Sequence, residues 1–173
     1  MLAQVYEPFF NRTWRHFCGH KNTPNKLEGA SYPALVKNNN VLYFAHPIFE
    51  AYNKSGNYVL QNYIINAIEG MYDKCLKIDN FLSCGRVRIR KSKNETFYAL
   101  HLMYAPLVNR GNVCLLEDFP IVNNINVEIK ISEKVKQVVS QPDGEEIEFT
   151  QENGVLKFEV DALRLHKLIV IKY

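Results

Sequence analysis

The fold of this chain is decided by the stretch Asn40–Met71, which reads NVLYFAHPIFEAYNKSGNYVLQNYIINAIEGM. Residues 41–45 are apolar at every position, which is typical of a strand covered on both faces, as in a parallel sheet. After residue 57, apolar residues recur every three or four positions and form one stripe of a helix: Leu60, Tyr63, Ile64, Ala67, Ile68 and Met71. We predict a strand followed by an amphipathic helix, with Asn57 as its N-cap and Ser55 as the alternative.

The loop between this strand and helix is a candidate ligand-binding segment. It begins with His46 and Pro47 and contains two aromatic residues, Phe49 and Tyr52. Open α/β sheets bind ligands at the carboxyl ends of their strands, which is where this loop is expected. Two interpretations of His46 remain open: a neutral imidazole that caps the sheet edge, or a contact to a substrate or a subunit interface.

The segment before the strand combines a long irregular region with a hairpin. Residues 1–31 show no sustained period and are punctuated by glycine and proline, which predicts a long ordered loop with one helical or extended piece around Asn11–Phe17. The turn-rich tetrad Lys37–Asn40 separates two apolar runs, so we predict that residues 32–36 pair with residues 41–45 in a hairpin.

Beyond Asp73–Phe81 the pattern changes from helical to twofold alternation, which is typical of half-buried antiparallel strands. Asn153-Gly154 favours a type I′ hairpin turn. About seven strands are predicted: residues 86–91, 97–104, 126–131, 135–140, 146–149, 156–160 and 168–173. The fold class is therefore α+β, with a partial α/β domain at residues 1–79 and an antiparallel β-sandwich at residues 80–173.

Composition narrows the class of protein further. The chain has 173 residues, 47% of them hydrophobic, and a net charge of +3 that is split evenly between its halves, so we expect neither a nucleic-acid nor a membrane partner. No apolar run approaches the roughly 18 residues that span a bilayer, and the N-terminus lacks a signal pattern. Four dispersed cysteines are expected to be reduced, which fits a cytoplasmic location: Cys18, Cys75, Cys84 and Cys114.

The central stretch resembles the end of the trimerisation domain of family 42 β-galactosidases. The resemblance rests on a strand ending in Tyr43-Phe44, a loop with a tyrosine, and Gly56 followed at a fixed distance by Ile64-x-Asn-Ala-Ile68. The upstream segment Pro8–Pro24 is similar to one found in uncharacterised relatives of those enzymes. The resemblance covers about residues 5–173 and is specific for the module rather than for the substrate.

This resemblance implies a fold and a place in a larger protein. The middle module of such enzymes is flavodoxin-like, follows a catalytic (β/α)₈ barrel and precedes a small antiparallel sandwich. A barrel takes about 250 residues, so the catalytic carboxylate pair is expected outside this chain. The implied partners are an upstream catalytic barrel polypeptide or other subunits in a homo-oligomer, and carbohydrate is a candidate ligand.

The segment around Trp14 carries the candidate binding chemistry. His16, Cys18 and His20 alternate, so an extended chain would place them on one face, with Trp14 beside them. Three interpretations remain open: packing of the loop onto the sheet, a zinc site that lacks an obvious fourth ligand, or a sugar-facing surface. In the sugar-facing interpretation Trp14 supplies an apolar face, and the hydroxyl partners are Arg12, His16 and His20, with His46 as a further candidate.

No other motif indicates catalysis or a cofactor, because the chain has no phosphate-binding loop, no nucleophile elbow and no dinucleotide fingerprint. The alternation in Arg86–Lys91 predicts a solvated strand face, with Glu145, Glu146 and Glu148 as candidate partners on a neighbouring strand. His101 and His166 are expected to be ordinary core or surface histidines. We predict a non-catalytic ancillary region of a glycoside hydrolase, with a free-standing carbohydrate-binding or protein-interaction module as the alternative.

Overall fold

The computed structural model describes residues 1–20 and 22–173, so Lys21, within the Pro8–Pro24 segment, lies outside the described residues. The chain divides into two units, residues 1–73 and 74–173. The described residues form mostly antiparallel sheet with two short helices. This agrees with the predicted antiparallel sandwich, whereas the α+β class and the flavodoxin-like character of the first region are not confirmed.

The first unit contains one small antiparallel sheet in the order β1-β2-β3. Its strands are β1 (Ala3–Gln4), β2 (Pro33–Asn38) and β3 (Val41–Phe44). The predicted hairpin is confirmed, because β2 pairs with β3 around a turn in which Asn39 has a φ of 50°. Among the described residues β3 pairs with β2 alone, so its other edge is free.

Strand β3 is not covered on both faces, as its apolar sequence had suggested. Val41 and Tyr43 are 64% and 65% exposed, while Leu42 and Phe44 are half-buried. An apolar run shows which residues can be buried, but burial also needs a second layer of residues that packs on them. The described residues supply no such layer over Val41 and Tyr43. The prediction is therefore wrong for the described chain.

Two helices follow, α1 (Ile48–Ser55) and α2 (Tyr58–Glu69). Helix α1 occupies the segment predicted as a loop, and it ends at Gly56, which adopts a left-handed conformation and donates its N–H to Tyr52. Helix α2 confirms the predicted N-cap, since the Oδ1 of Asn57 accepts hydrogen bonds from the N–H groups of Val59 and Leu60. Neither helix is long enough to cross a lipid bilayer.

A small aromatic cluster holds α2 against β3. Phe44 makes edge-to-face contacts with Phe49 and Tyr63, at ring-centroid distances of 5.5 and 5.7 Å. The Tyr63 hydroxyl is buried without a hydrogen-bond partner among the described residues, and burial raises the pKa of this phenol. The first unit therefore buries the Tyr63 hydroxyl at the cost of a hydrogen bond that no described residue provides.

Replacing Tyr63 with phenylalanine is expected to stabilise the chain or leave its stability unchanged. An unsatisfied buried hydroxyl costs about 1–3 kcal/mol, and phenylalanine removes that cost while it keeps the ring contact with Phe44. Thermal unfolding of the wild-type chain and of Tyr63→Phe measures the difference, with Tyr58→Phe as an exposed control. A clear loss of stability in Tyr63→Phe alone would show that the hydroxyl is satisfied.

The second unit is built from two four-stranded antiparallel sheets in the orders β10-β13-β6-β5 and β11-β12-β9-β4, with a separate hairpin β7-β8. The strands are β4 (Leu76–Asp79), β5 (Arg86–Lys91), β6 (Phe97–Met103), β7 (Val108–Arg110), β8 (Val113–Leu115), β9 (Val122–Lys130), β10 (Gln137–Gln141), β11 (Phe149–Glu152), β12 (Val155–Leu163) and β13 (His166–Lys172). The turn between β11 and β12 has positive φ at both Asn153 and Gly154, as the predicted type I′ turn requires.

The core of the second unit lies between the two sheets, as the alternating sequence predicted. Buried side chains come from β6 and β13 on one side and from β9 and β12 on the other: Leu100, Leu102, Ile169, Ile171, Ile125, Val127, Ile129, Leu156, Phe158 and Val160. Strand β4 pairs with β9 and its apolar residues pack against this core. It thus lies in the second unit, whereas the sequence-based division placed residues 76–79 in the first.

The predicted pairing of the basic strand β5 with a row of glutamates is wrong. Strand β5 pairs with β6, at one edge of its sheet. Glu146 forms an isolated bridge with Val139 of β10, at the opposite edge of the same sheet. Twofold alternation identifies the exposed face of a strand, but it carries no information on which strand is its neighbour.

One ion pair at the margin of the second unit is supported by several contacts. Lys91 hydrogen-bonds to Glu133, which also accepts a hydrogen bond of 3.1 Å from the hydroxyl of Tyr98. The Lys91 ammonium lies 5.4 and 5.1 Å from the ring centroids of Tyr98 and Tyr173. The hydrogen bond from Lys91 lowers the pKa of Glu133 to about 2 and raises the pKa of Lys91.

This ion pair predicts a specific acid sensitivity. Because the pKa of Glu133 is lower in the folded chain than its ordinary value of 4.5, the pair contributes stability above pH 4.5 and loses it as the pH falls toward 2. We expect Lys91→Met to reduce the loss of stability between pH 4.5 and 2, as measured by urea unfolding across that range. Lys134→Met is the matched control, and an unchanged pH profile in Lys91→Met would contradict the assignment.

Candidate functional site

The first unit contains a groove of about 520 Å³ that is formed by its irregular N-terminal segment. Residues 5–11 run alongside residues 24–30, joined by hydrogen bonds from the N–H of Phe9 to the carbonyl of Pro24 and from the N–H of Lys26 to the carbonyl of Glu7. The predicted long loop is thus ordered by pairing between its two arms. The groove is lined by Val5, Tyr6, Glu7, Pro8, Phe9, Phe10, Asn11, Lys26, Tyr32 and His46.

The lining combines aromatic rings with a few polar groups. Four of the lining residues are Tyr or Phe, and two of them, Tyr6 and Phe9, are largely exposed. Glu7 and Lys26 form an ion pair of 3.1 Å, so a carboxylate and an ammonium are held in place along the same groove. Rings that cover apolar C–H faces, together with fixed donors and acceptors, are the features by which proteins hold sugars.

His46 is the one predicted site residue that lines this groove. It lies between the end of β3 and the start of α1, and its carbonyl accepts the N–H of Ile48. Its ring is exposed and lies 6.2 Å from the ring of Tyr32, at an angle of 43°. The imidazole is therefore accessible from the groove rather than sealed beneath the sheet.

The neighbouring loop holds the other predicted site residues in a tight turn. The backbones of Thr13 and His16 exchange two hydrogen bonds, of 2.8 and 3.2 Å, and the Thr13 hydroxyl lies 3.4 Å from Nδ1 of His16. Bends at residues 14–16 and 19–20 interrupt the extended conformation that would have aligned Trp14, His16, Cys18 and His20 on one face. The predicted helical or extended piece around residues 11–17 is therefore absent.

The turn places His16 near one lining residue of the groove, whereas Trp14 is not part of the lining. The His16 ring lies 6.2 Å from the ring of Phe10, which lines the groove. Trp14 is 81% exposed, and the guanidinium of Arg15 lies 4.5 Å above its ring. The indole is an open surface platform outside the groove.

Arg12 and His20 are also exposed and lie outside the lining of the groove. The Nη2 of Arg12 donates a hydrogen bond of 3.3 Å to the carbonyl of Cys18, which fixes the return of the loop. The Cys18 thiol donates to the carbonyl of His20 at 3.4 Å. Across the described range, residues 1–20 and 22–173, no group of three or more His, Cys, Asp and Glu side chains is arranged to hold a metal ion.

The structure therefore places His46 in the lining of the groove and leaves the other predicted site residues on the adjoining loop: Arg12, Trp14, His16 and His20. Sequence analysis missed the remaining lining residues, including Tyr6, Phe10 and Tyr32. The signal available was the density of aromatic residues before residue 11. What it could not show was that residues 24–32 fold back beside them.

A second groove, of about 330 Å³, lies within the second unit and is strongly acidic. The hydroxyl of Ser140, on its lining, is buried and has no partner in the described part of the chain. The groove is lined by Ser140, Glu145, Glu146, Ile147, Glu148, Glu159, Val160, Asp161 and Lys167. It has no aromatic ring in its lining, so it lacks the apolar platform that the first groove offers.

Among solved structures, the chain is similar to α-L-fucosidase isoenzyme 2 from Paenibacillus thiaminolyticus. The two share 28% sequence identity, and the TM-score is 0.90. The match covers 98% of this chain and 26% of the fucosidase chain. No protein-family profile matches the chain, and no curated protein matches it.

The similarity relates the chain to part of a glycoside hydrolase, because a fucosidase belongs to that class of enzyme. The chain spans about a quarter of the length of the fucosidase that it matches. The match supports this broader class and does not single out family 42.

Proposed function

We propose that this chain is a non-catalytic ancillary and assembly region of a glycoside hydrolase. The observation that carries the proposal is the match to the fucosidase, which takes in 98% of this chain but only 26% of the enzyme. Hydrolysis of a glycoside usually needs two carboxylates held across the scissile bond. We assign that pair to polypeptide outside the matched quarter, as the resemblance to barrel-containing hydrolases implies.

We further propose that residues 1–73 form the end of a flavodoxin-like, trimerisation-type domain of a β-galactosidase-like enzyme. The free edge of β3 and the exposed Val41 and Tyr43 support this, because a preceding strand and layer would cover them. Helix α2 supports it as well, since its stripe is only partly buried. Ile64 is 8% exposed, whereas Ile68 is 47% exposed.

The distribution of exposed apolar residues favours the same proposal. Of the large apolar side chains that are exposed among the described residues, seventeen lie in residues 1–73 and six in residues 74–173. Buried apolar residues show the opposite distribution, since the first unit holds only Leu35, Ile48, Ile64 and Ala67. A unit with this much uncovered apolar surface is typical of one that binds further polypeptide.

The partners that we propose are the upstream catalytic barrel polypeptide and further copies of the same protein in a homo-oligomer. A cytoplasmic location is part of the proposal, and the four cysteines, unpaired in the described chain, support it. The groove around His46 is proposed as one wall of a sugar site. Its aromatic lining and its fixed Glu7–Lys26 pair support this role.

The proposal predicts that the purified chain does not hydrolyse chromogenic fucosides, galactosides, glucosides or arabinosides. If the open reading frame encodes further polypeptide upstream, coexpression of that polypeptide with the chain is expected to give turnover. A release assay on the chain alone and on the coexpressed pair measures this. Glu146→Gln and Glu159→Gln test the acidic groove, and turnover by the chain alone that either substitution abolishes would overturn the proposal.

The sugar wall is tested by binding rather than by turnover. We expect weak binding of L-fucose or D-galactose to shift the NMR signals of residues 5–11 and His46, and His46→Ala to reduce these shifts. Tyr58→Ala is the matched control, because it removes an exposed ring of the same unit that lies outside the lining of the groove. Shifts confined to the second unit would contradict the assignment of the wall.

The alternative function, a free-standing carbohydrate-binding or protein-interaction module, is favoured by the groove itself, which the chain forms without a partner. The two functions differ in what the isolated chain does. A free-standing module binds saccharide as a stable monomer, whereas an assembly region self-associates or requires another polypeptide. Light scattering of the purified chain together with the saccharide titration separates them.

A further inference from the structure

The outer face of the sheet β10-β13-β6-β5 carries a concentrated positive charge. Leu100 and Leu102 of β6 are fully buried in the core, so the alternate residues of β6 and their cross-strand partners lie on the outer face. We use the term basic patch for five side chains on this face: Arg86, Arg88 and Arg90 of β5, His101 of β6 and His166 of β13.

The strand register brings these side chains together. Arg88 lies directly opposite His101, while Arg86 and His166 both lie opposite Met103. His101 and His166 are diagonal neighbours whose rings are nearly parallel, at 13°, and meet edge to edge with centroids 5.3 Å apart. The arginine column of β5 extends over about 13 Å beside His101, and His166 lies one strand further from it.

No acidic group from these strands neutralises the basic patch. The sequences of β5, β6 and β13 contain neither aspartate nor glutamate, and neither does β10 on the far side of β13. The acidic groove reaches β13 at Lys167, next to His166, but Lys167 lies opposite the buried Leu102 and therefore on the other face of the sheet. The nearest charged groups that β5 presents to the histidine pair on this face are thus positive, Arg86 and Arg88.

The histidine pair adds a proton-dependent element. Nδ1 of His101 lies 3.0 Å from Nε2 of His166, a hydrogen bond in which one nitrogen donates and the other must be unprotonated. Protonation of both rings removes the acceptor and places two positive charges beside Arg88. An anion that accepts hydrogen bonds from both rings would compensate for this, so its binding is coupled to proton uptake. A divalent cation is disfavoured at the histidine pair because the positive charge of Arg88, which lies opposite His101, repels it.

We propose that the basic patch binds the sulfate or carboxylate groups of an acidic saccharide chain, and that binding strengthens as the histidine pair becomes protonated. An extended ligand is favoured over a single ion because the arginines are spread along the strand. The saccharide class rests on the proposed function as part of a glycoside hydrolase. Ala99, Met103 and Leu168, the neighbours of His101 and His166 on this face, offer no aromatic platform for stacked bases.

Titration calorimetry of the full chain tests the proposal with five probes: dextran sulfate oligosaccharide, oligogalacturonate, neutral dextran, inorganic sulfate and a single-stranded oligonucleotide of matched charge. We expect binding of at least one acidic saccharide, no binding of neutral dextran, and much weaker binding of inorganic sulfate. Affinity is expected to be higher at pH 5.5 than at pH 7.5, because an anion can accept hydrogen bonds from both rings only when neither nitrogen of the pair is needed as an acceptor. Two buffers of different ionisation enthalpy then measure the proton uptake directly.

Variants locate the site. Arg88→Gln is expected to weaken binding about tenfold, as loss of a charged hydrogen bond does, and Arg86→Gln with Arg88→Gln to weaken it further. Arg110→Gln is the matched control, an exposed arginine of the same unit that lies in the β7-β8 hairpin. His101→Gln keeps a polar side chain without titration, so it is expected to remove the pH dependence while most of the affinity at pH 7.5 remains.

Three results would overturn the proposal: no binding of either acidic saccharide, equal loss of binding in Arg110→Gln and Arg88→Gln, or equal affinity for the oligonucleotide. The test is separable from that of the proposed function. If the chain binds acidic saccharide through Arg88 but gives no turnover with any catalytic polypeptide, the site is supported and the ancillary role is contradicted. If the chain gives turnover with a catalytic polypeptide but does not bind acidic saccharide, the ancillary role is supported and the site is contradicted.

Discussion

Replacing Ile68 with glutamate is expected to shift the isolated chain from self-associated species toward monomer, weakening association by at least about tenfold. Ile68 is 47% exposed on the stripe of α2, near the exposed Ile65 and Met71. A carboxylate buried in an apolar interface costs more than the roughly 1.4 kcal/mol that corresponds to a tenfold change. Sedimentation velocity over a range of concentrations measures the shift.

The choice of position matters for this experiment. Ile64, on the same stripe, is 8% exposed and packs inside the first unit, so Ile64→Lys would test folding rather than association. Asn66→Glu adds the same charge to an exposed position of α2 that does not face Ile68, and is expected to leave association unchanged. A wild-type chain that remains a compact monomer at high concentration would contradict the prediction and favour the free-standing module.

A fragment of residues 74–173 is expected to fold alone, whereas a fragment of residues 80–173 is expected to be less stable by roughly 3 kcal/mol. The difference is strand β4, whose Leu76 and Ile78 lie opposite Ile129 and Val127 and pack against the core. For a domain of about 100 residues this loss lowers the Tm by more than about 10 °C. Thermal unfolding of the two fragments measures it.

A longer fragment provides the control for this comparison. Residues 70–173 add a few residues that precede β4, so this fragment is expected to match the stability of residues 74–173. Equal stability of the fragments that begin at residues 74 and 80 would support the boundary expected from the sequence, between residues 79 and 80. A fragment 74–173 that does not fold would show that the second unit depends on the first.

Much of the sandwich could be predicted from sequence because its strands and turns are specified by residues that are close together in the chain. Alternation along β9 and β12 assigns each residue to the core or to solvent, and the Asn153-Gly154 pair specifies its own turn. The N-cap of α2 was predictable for the same reason, since Asn57 bonds N–H groups two and three residues ahead. Short strands such as β7 and β8 escaped because three residues show no period.

The groove was not predictable, because it depends on contacts between distant parts of the chain. Phe9 pairs with Pro24 and Glu7 with Lys26 through geometry that neither segment encodes alone. Helix α1 escaped for a related reason, since eight residues are too few to form a stable helix without packing. Its one local sign was the spacing of Ile48 and Tyr52, four residues apart.

Strands β5 and β3 each end a sheet, and they differ in how they protect the chain from aggregation. Strand β5 ends its sheet with alternating arginines, and a charged edge repels the edge of another sheet, so the second unit resists strand-to-strand stacking. Strand β3 ends its sheet with Val41, Leu42, Tyr43 and Phe44, which carry no charge and no proline. In newly synthesised chain, strand-to-strand aggregation is therefore expected to begin at β3 rather than at β5.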